Sequence, residues 1–589
     1  MRKATIFLAL AMMPAIAIQA QQTGTGLQRE VKLYNPFKPS LSEANKKSYM
    51  PDMNDTTTIR PAFNYTVSPT LFNPVYTISQ IRPATLVADP LPKLYKSFLT
   101  LGMGNYFTPL GELTIASERS RTRMLALNVK HFSSNGKVQL QNMEKVNAGY
   151  MDNEASFYGK KFFNASVLSG SADFAHLTRH AYGYDTSFVG YEADRNDIRL
   201  RFMDAGANIG LSSLRADSGR LIYDARLGYD YFRQSTDLWQ HNAILSFEVG
   251  KRIKALRSRG SRAQSSDFYA KLRGDYSLTI LDKAVDANPR HLVTLNPSLG
   301  KKSNEWSFNL GFNVVTETRT FDVSGIDEYK TKLHIYPDVN LEIAVIPSFL
   351  NFNIALDGRL EDNSAPNMVR VNPFLQTDGS LFSLPYTNHE ITARAGLSGS
   401  VIPSTTYRLG GSYSVFSDMV FFSNIVWEGL TVAEGYGSFF TPVITEGSMA
   451  NLFVQLNTAV TSKISTVAKV NYFNYSLTSI DFPYNKPSWD GSLWVKYNLR
   501  DKIIAGASLN AIGSREVYVT KMTLLGPPAL PDIFTLPTHV NLSLSAEYRY
   551  TKILSFWIKA NNISTNRHYE WAYYPSQRFL MMAGFSYSL

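Results

Sequence analysis

The sequence predicts an all-β chain: a transmembrane antiparallel β-barrel of about 22 strands, preceded by a proline-rich extended N-terminal segment. Three observations carry that prediction. Near the C-terminus the chain alternates apolar and polar residues along successive ribbons, and a strand's side chains switch faces at every residue. Past its N-terminus the chain holds no run near the roughly 18 apolar residues of a membrane helix, although 44% of residues are hydrophobic, with 35 Phe and 33 Tyr. Finally, short turns and long links take turns along the chain, as they do in barrels with one short-turn rim and one long-loop rim.

The first twenty residues have the pattern of a cleaved export signal. Arg2 and Lys3 supply the positive start, Ala4 to Ile18 the apolar core, and Ile18-Gln19-Ala20 a cleavage site before Gln21. The chain has no cysteine, which excludes a lipid-anchored N-terminal Cys and a disulfide framework. Export without a stop-transfer helix, combined with the strand pattern, selects the outer membrane. Residues 21–94 differ in kind. Proline recurs from Pro36 to Pro92, while Tyr34, Phe37, Tyr49, Phe63, Tyr65, Phe72 and Tyr76 are interspersed. Proline fixes φ and removes a donor, so neither a helix nor a central strand runs far here. The aromatics exceed what a plain disordered linker carries. The segment is expected to lie extended in the lumen or the periplasm, or against a partner.

Residues 95–589 read as the barrel. Tight or polar connections fall near Glu118-Arg119, Phe163-Asn164, Asp217-Ser218-Gly219, Arg257 to Ser266, Lys301-Lys302, Pro347, Pro403, Ser462, Arg500-Asp501 and Tyr550-Thr551. Longer links lie at Ser133–Lys145, Gly183–Asn196, Leu281–Arg290, Arg319–Glu328, Asp362–Asn388, Phe416–Gly447, Ser479–Pro487, Ser514–Pro537 and Ile563–Ser576. Ten turns with a first and a last strand give about 22 strands, enough residues each for a tilted span. The final ribbon puts Phe579, Met581, Ala583, Phe585, Tyr587 and Leu589 on one face. Val540, Leu542, Leu544, Ala546, Tyr548 and Tyr550 do the same in an earlier ribbon, and Leu554, Phe556, Ile558 and Ala560 in the next, where Trp557 is an aromatic exception on the polar face. Trp489, Trp494 and Tyr497 suit an interfacial aromatic girdle.

The last thirty residues carry a resemblance. Asn561-Asn562-Ile563, His568-Tyr569, Tyr574-Pro575-Ser576-Gln577-Arg578-Phe579 and Gly584 resemble the end of TonB-dependent receptor barrels, with Leu589 in place of the usual terminal Phe. The resemblance implies the barrel. It does not extend to the N-terminal side, where that family carries a globular α/β plug and a TonB-contacting box. Here the residues before the first strand are proline-broken and show no such box, so a plugless barrel is expected, without the part on which energised import pulls.

Catalytic, cofactor and metal sites are not expected. There is no Gly-x-Ser-x-Gly elbow, Walker loop or His-Glu-x-x-His, and His176 and His180 stand about 13 Å apart along one strand face. The formal net charge of +11 is scattered over strands and turns, so nucleic acid is not the expected partner; outer-membrane lipids are, with a surface lipoprotein or another outer-membrane barrel as the protein partner. Two stretches are candidate partner-binding sites. One is the basic turn Lys251, Arg252, Lys254, Arg257, Arg259 and Arg262. The other is the aromatic loop set Phe374, Phe382, Phe421, Phe422, Trp427, Phe439 and Phe440, which could grip a partner, grip a ligand or fold over the mouth. The expected function is a transport or receptor role for an unidentified solute. The alternative is a scaffold subunit of a multiprotein outer-membrane complex such as the outer-membrane protein assembly machinery.

Overall fold

The computed structural model describes residues 95–589 apart from 118–119, 187–193, 215–220, 237, 254–267, 304, 324–325, 377–383, 429–437, 524–530 and 566. The predicted signal and the segment 21–94 lie outside the described residues. The main sheet contains 24 strands, two of which, Arg515–Thr523 and Asp532–Leu536, form a hairpin within one loop. The other 22 follow one another as antiparallel neighbours and close into a barrel. Closure is made by the first strand, Ser97–Gly104, against the last, Leu580–Ser588, with Phe98 opposite Ser588 and Gly104 opposite Met582. The Lys96 N–H donates to the Leu589 carbonyl at 2.7 Å, so the final residue is used in the seam. A closed sheet has no free edge, which is what a backbone in lipid requires.

The alternation seen in the sequence becomes the two sides of the wall. Val540, Leu544, Tyr548, Phe556, Ile558, Met581 and Phe585 are exposed on the outside, whereas Ser555, Trp557, Met582 and Ser586 are buried on the inside. Trp489 and Tyr497 are also exposed on the outer face, as an interfacial girdle requires. Trp494 is not part of that girdle: it stands in the inward row with Ser508 and Ser543, because strand side chains switch faces at every residue. Trp557 explains its own exception. It pairs in register with Gly584, which pairs with Gly102, and a Cβ on either glycine would meet the indole at 2.3–2.4 Å. The two glycines of the closing seam therefore leave the space that the inward indole fills.

The predicted turns at 163–164, 301–302, 347, 403, 462, 500–501 and 550–551 fall at or between strand ends at one rim of the barrel. The predicted turns 118–119, 217–219 and 257–266 lie outside the described residues, and the strands joined by the nine predicted links end at the other rim. Two more strand pairs are joined at the loop rim by short connections that the sequence does not mark, one between Gly104 and Thr108 and one between Gln234 and Trp239. The first is Asn105-Tyr106-Phe107 with Tyr106 and Phe107 at φ 59° and 49°, left-handed backbone without the glycine that normally signals it. Asn105 makes it possible: its side chain donates to the Phe579 carbonyl at 2.8 Å and accepts the Met581 N–H at 3.1 Å.

Two predicted links are shorter than expected, because the strands run on. Trp306–Val323 pairs with Ile326–Ile346 through residues read as the link Arg319–Glu328. Thr405–Glu428 likewise pairs with Ser438–Ala459, with Phe421 opposite Val443 and Val426 opposite Ser438. The stretch Phe416–Gly447 was too apolar for an exposed loop; its aromatic and β-branched residues form ladder pairs instead. These two hairpins rise from the loop rim.

Candidate functional site: a closed mouth above an acidic chamber

At the loop rim, segments distant in sequence fold together into one apolar core over the mouth. Five loop-rim segments supply most of its buried members: Ala181 and Ile198 at the two ends of one connection, the loop 362–386, the hairpin Thr405–Glu428 and Ser438–Ala459, the loop 513–538, and the loop 562–579. Leu200, Phe202, Phe232 and Leu281 join it from the barrel wall. The loop 562–579 supplies the centre. Tyr574 stacks on Phe374 with ring centroids 3.8 Å apart and meets Tyr182 edge-on at 5.1 Å. Trp571 meets Phe440 at 5.0 Å and Phe422 at 5.8 Å. Such offset and edge contacts favour aromatic pairs beyond the area they bury.

Polar groups in this core are joined across segments. The Tyr574 hydroxyl donates to the Ser438 carbonyl at 2.5 Å, and the Tyr182 hydroxyl to the Pro575 carbonyl at 2.8 Å. Arg515 holds the last loop from below by donating to the Tyr569 and Glu570 carbonyls at 2.6 and 2.9 Å. Asn424–Glu428 of the tall hairpin pairs in parallel with Val519–Thr523 of the loop hairpin. In the loop 362–386, Phe374 and Gln376 exchange backbone hydrogen bonds with Phe440. Burial pushes the Tyr182 phenol well above its ordinary range and the Tyr386 phenol to about 12, so both stay neutral at physiological pH. Gly183 marks a close approach: a Cβ there would lie 2.5 Å from the Tyr574 ring.

The loop 362–386 also reaches downward. Its helix, Ala365–Val371, carries Pro366 in its first turn and buries Ala365, Met368 and Val369 in the lid core. Arg370, in the last turn of that helix, forms an ion pair with Asp204 on the barrel wall. Asp362 accepts the Ser364 N–H at 3.0 Å and its hydroxyl at 2.8 Å.

Beneath the helix lies a chamber of about 530 Å³, within the range of small-molecule sites. Its walls come from consecutive strands. Ser156, Asp173, Gly206, Asp230 and Asn242 form one register row, and Glu154, Ala175, Asp204, Phe232 and Gln240 the next. Five carboxylates, those of Glu154, Asp173, Asp204, Asp230 and Asp362, line the chamber, where Arg370 is the one cation among the described lining residues; Glu154 is also paired with Lys130 at 3.4 Å. The chain as a whole is strongly basic, so the acidity is local.

The aromatic loop residues singled out from the sequence are brought together, but inside. Phe374, Phe421, Phe422 and Phe440 are buried and Phe439 packs partly buried against the same core. Phe421 sits against Tyr475 at 6.2 Å. As an exposed binding surface these residues are thus corrected: they fold over the mouth, because long apolar loops bury their aromatics against one another when neighbouring loops offer the same chemistry. Phe382 lies outside the described residues, as do Lys254, Arg257, Arg259 and Arg262; Trp427 is described only as a strand residue. Lys251 and Arg252 are exposed at the turn rim, at the end of the strand Trp239–Ile253. The acidic lining escaped sequence reading because its members lie on four separate strands and a loop. Among the described residues, no group of three or more His, Cys, Asp or Glu side chains could hold a metal ion.

No protein-family model matches the chain, and no curated protein is significantly similar in sequence. Solved structures are similar in fold. The pyoverdine outer membrane receptor FpvA of Pseudomonas aeruginosa PAO1, bound to pyoverdine, superposes with a TM-score of 0.60 at 11% identity, over 85% of this chain and 79% of its own. The ferric-catecholate import receptor Fiu of E. coli K12 gives 0.58 at 10% identity, over 85% and 82%. The siderophore receptor PiuA of Acinetobacter baumannii gives 0.56 at 10% identity, over 84% and 82%. At such identities the likeness is one of architecture: this chain has the large closed barrel of outer-membrane siderophore receptors.

Proposed function

We propose that this protein is an outer-membrane receptor or transport barrel for a solute taken up from outside, with residues 21–94, and not a globular plug, governing the lumen. The observation that carries the reading is a mouth closed by the barrel's own loops above a polar chamber of ligand size. A scaffold needs neither a shaped interior nor an apolar lid assembled from five segments. The apolar outer wall supports the membrane setting, and the fold is shared with receptors that import or bind siderophores. No catalytic role is proposed.

The test is gentle detergent purification of the full chain from native outer membranes, with mass spectrometry of what co-elutes, followed by planar-bilayer recording. A lone barrel that conducts only after the loop 362–386 is shortened supports a gated solute path. Stoichiometric co-purification with surface lipoproteins or other barrels, together with silent bilayers for both forms, would replace this reading with a structural subunit.

A further inference from the structure

We propose that the chamber beneath the lid is a binding site for a small organic polycation, a solute carrying two or more ammonium or guanidinium groups. Deepening the receptor reading given above, it rests on that reading. Two independent observations point to a ligand. The first is charge in register: Asp173 and Asp230 flank Gly206 on adjacent strands. Asp230 leans across the glycine, its carboxylate oxygen 2.5 Å from where a Cβ would stand. Neither Asp173 nor Asp230 has an ion-pair partner among the described residues.

The second observation is Gln240. It is only 4% exposed, it lines the chamber, and its amide has no hydrogen-bond partner among the described residues. Buried amides are ordinarily satisfied, so one facing a cavity unbonded is available to a guest that brings donors. Gln240 pairs in register with Phe232, which pairs with Asp204, so its amide and the carboxylates face one space.

The chemistry selects the guest. Clefts lined by one sign of charge concentrate counter-ions, and weak internal screening strengthens each contact. The carboxylates do not converge as metal ligands do, which favours charges spread along an organic chain over a single divalent ion. The wall also pairs a guanidinium already: Arg370 of the lid helix reaches Asp204, an internal cation where a guest's first cation would compete. Asp173, Asp230 and Gln240 remain for the rest of the guest.

Spermidine is a suitable probe and triethylene glycol its uncharged counterpart. Isothermal titration on the detergent-purified full chain is expected to show saturable spermidine binding and none of the glycol. The paired substitution Asp173→Asn with Asp230→Asn should weaken spermidine at least ~10-fold, and Gln240→Leu several-fold. Arg370→Gln should tighten it a few-fold by removing the internal competitor. Circular dichroism melts establish that each variant is folded, and Tyr574→Ala, which loosens the lid, gives the probe access. Absence of binding to both wild type and Tyr574→Ala overturns the proposal, as does binding that the Asp173/Asp230 pair leaves unchanged. Spermidine binding without uptake would remove the transport reading and keep the site; uptake of another solute without spermidine binding would do the reverse.

Discussion

Tyr574→Ala is expected to open the mouth without unfolding the barrel. The ring is 2% exposed, stacked on Phe374 at 3.8 Å, edge-on to Tyr182, and tied by its hydroxyl to Ser438. Truncating a fully buried aromatic to Ala costs ~3–5 kcal/mol, the spread reflecting how far the cavity can collapse. Since every 1.4 kcal/mol is tenfold, ~4 kcal/mol shifts the closed-to-open ratio by roughly 10³. Tyr574→Phe keeps the ring and loses one hydrogen bond, about 1 kcal/mol, or about fivefold. Trypsin reports the difference, because cleavage of a transiently opened segment follows the open population when reclosing is fast. Arg515, whose guanidinium is engaged by the last loop, reports lid opening. Lys552, exposed in a turn at the opposite rim, is the internal control. The expected result is cleavage at Arg515 accelerated by two to three orders of magnitude in Tyr574→Ala and severalfold in Tyr574→Phe, with Lys552 unchanged. Equal rates in all three proteins would refute the view that this core holds the mouth shut.

Further expectations can be checked alongside. Gly183→Val places side-chain atoms where the Tyr574 ring lies and should reproduce the Tyr574→Ala proteolysis pattern while leaving the thermal melt of the barrel unaltered. Gly102→Ala drives a methyl into the Trp557 indole and Trp557→Ala empties the space; each alone should lower stability by ~1–4 kcal/mol. Their combination should be less damaging than the sum, measured as a double-mutant cycle in urea. Asn105→Ala removes two hydrogen bonds that join the first turn to the last strand and should lower the urea midpoint by the equivalent of ~1–2 kcal/mol.

How much of this was legible in the sequence depends on the range over which each feature is determined. Strand faces are local: the period of two in Leu554–Ala560 or Phe579–Leu589 places every outward residue, and the structure keeps those assignments. The turns of one rim are also local, since Gly, Pro, Asn and Asp mark them. Asn105-Tyr106-Phe107 lacks those marks at its left-handed positions, and its stability comes from Phe579 and Met581, residues over 470 positions away. The lid and the chamber are non-local in the same sense. The chain displays Phe374, Phe422, Phe440, Trp571 and Tyr574 as loop aromatics but not that five segments meet. Asp173, Asp204 and Asp230 look like ordinary polar members of alternating strands until register aligns them.

Magnitudes also decide how the lid and the chamber can influence each other. Arg370–Asp204 is the ionic link between them, and a cation entering the chamber competes for Asp204, so by reciprocity its binding and the release of the lid helix must be coupled. The link is weak. The Arg370 side chain is 59% exposed and that of Asp204 22%, and a pair so open to water is worth about 0–1 kcal/mol after screening. Against it stands the aromatic core, in which one ring alone contributes ~3–5 kcal/mol. Cation binding can therefore loosen the helix a few-fold at most, while the mouth stays shut. Opening it needs an agent that engages the core itself: an apolar surface offered to Trp571, Tyr574 and Phe440 from outside, or a pull on the loops from within the lumen. In a barrel built this way charge selects what occupies the chamber, and the apolar lid sets when it enters.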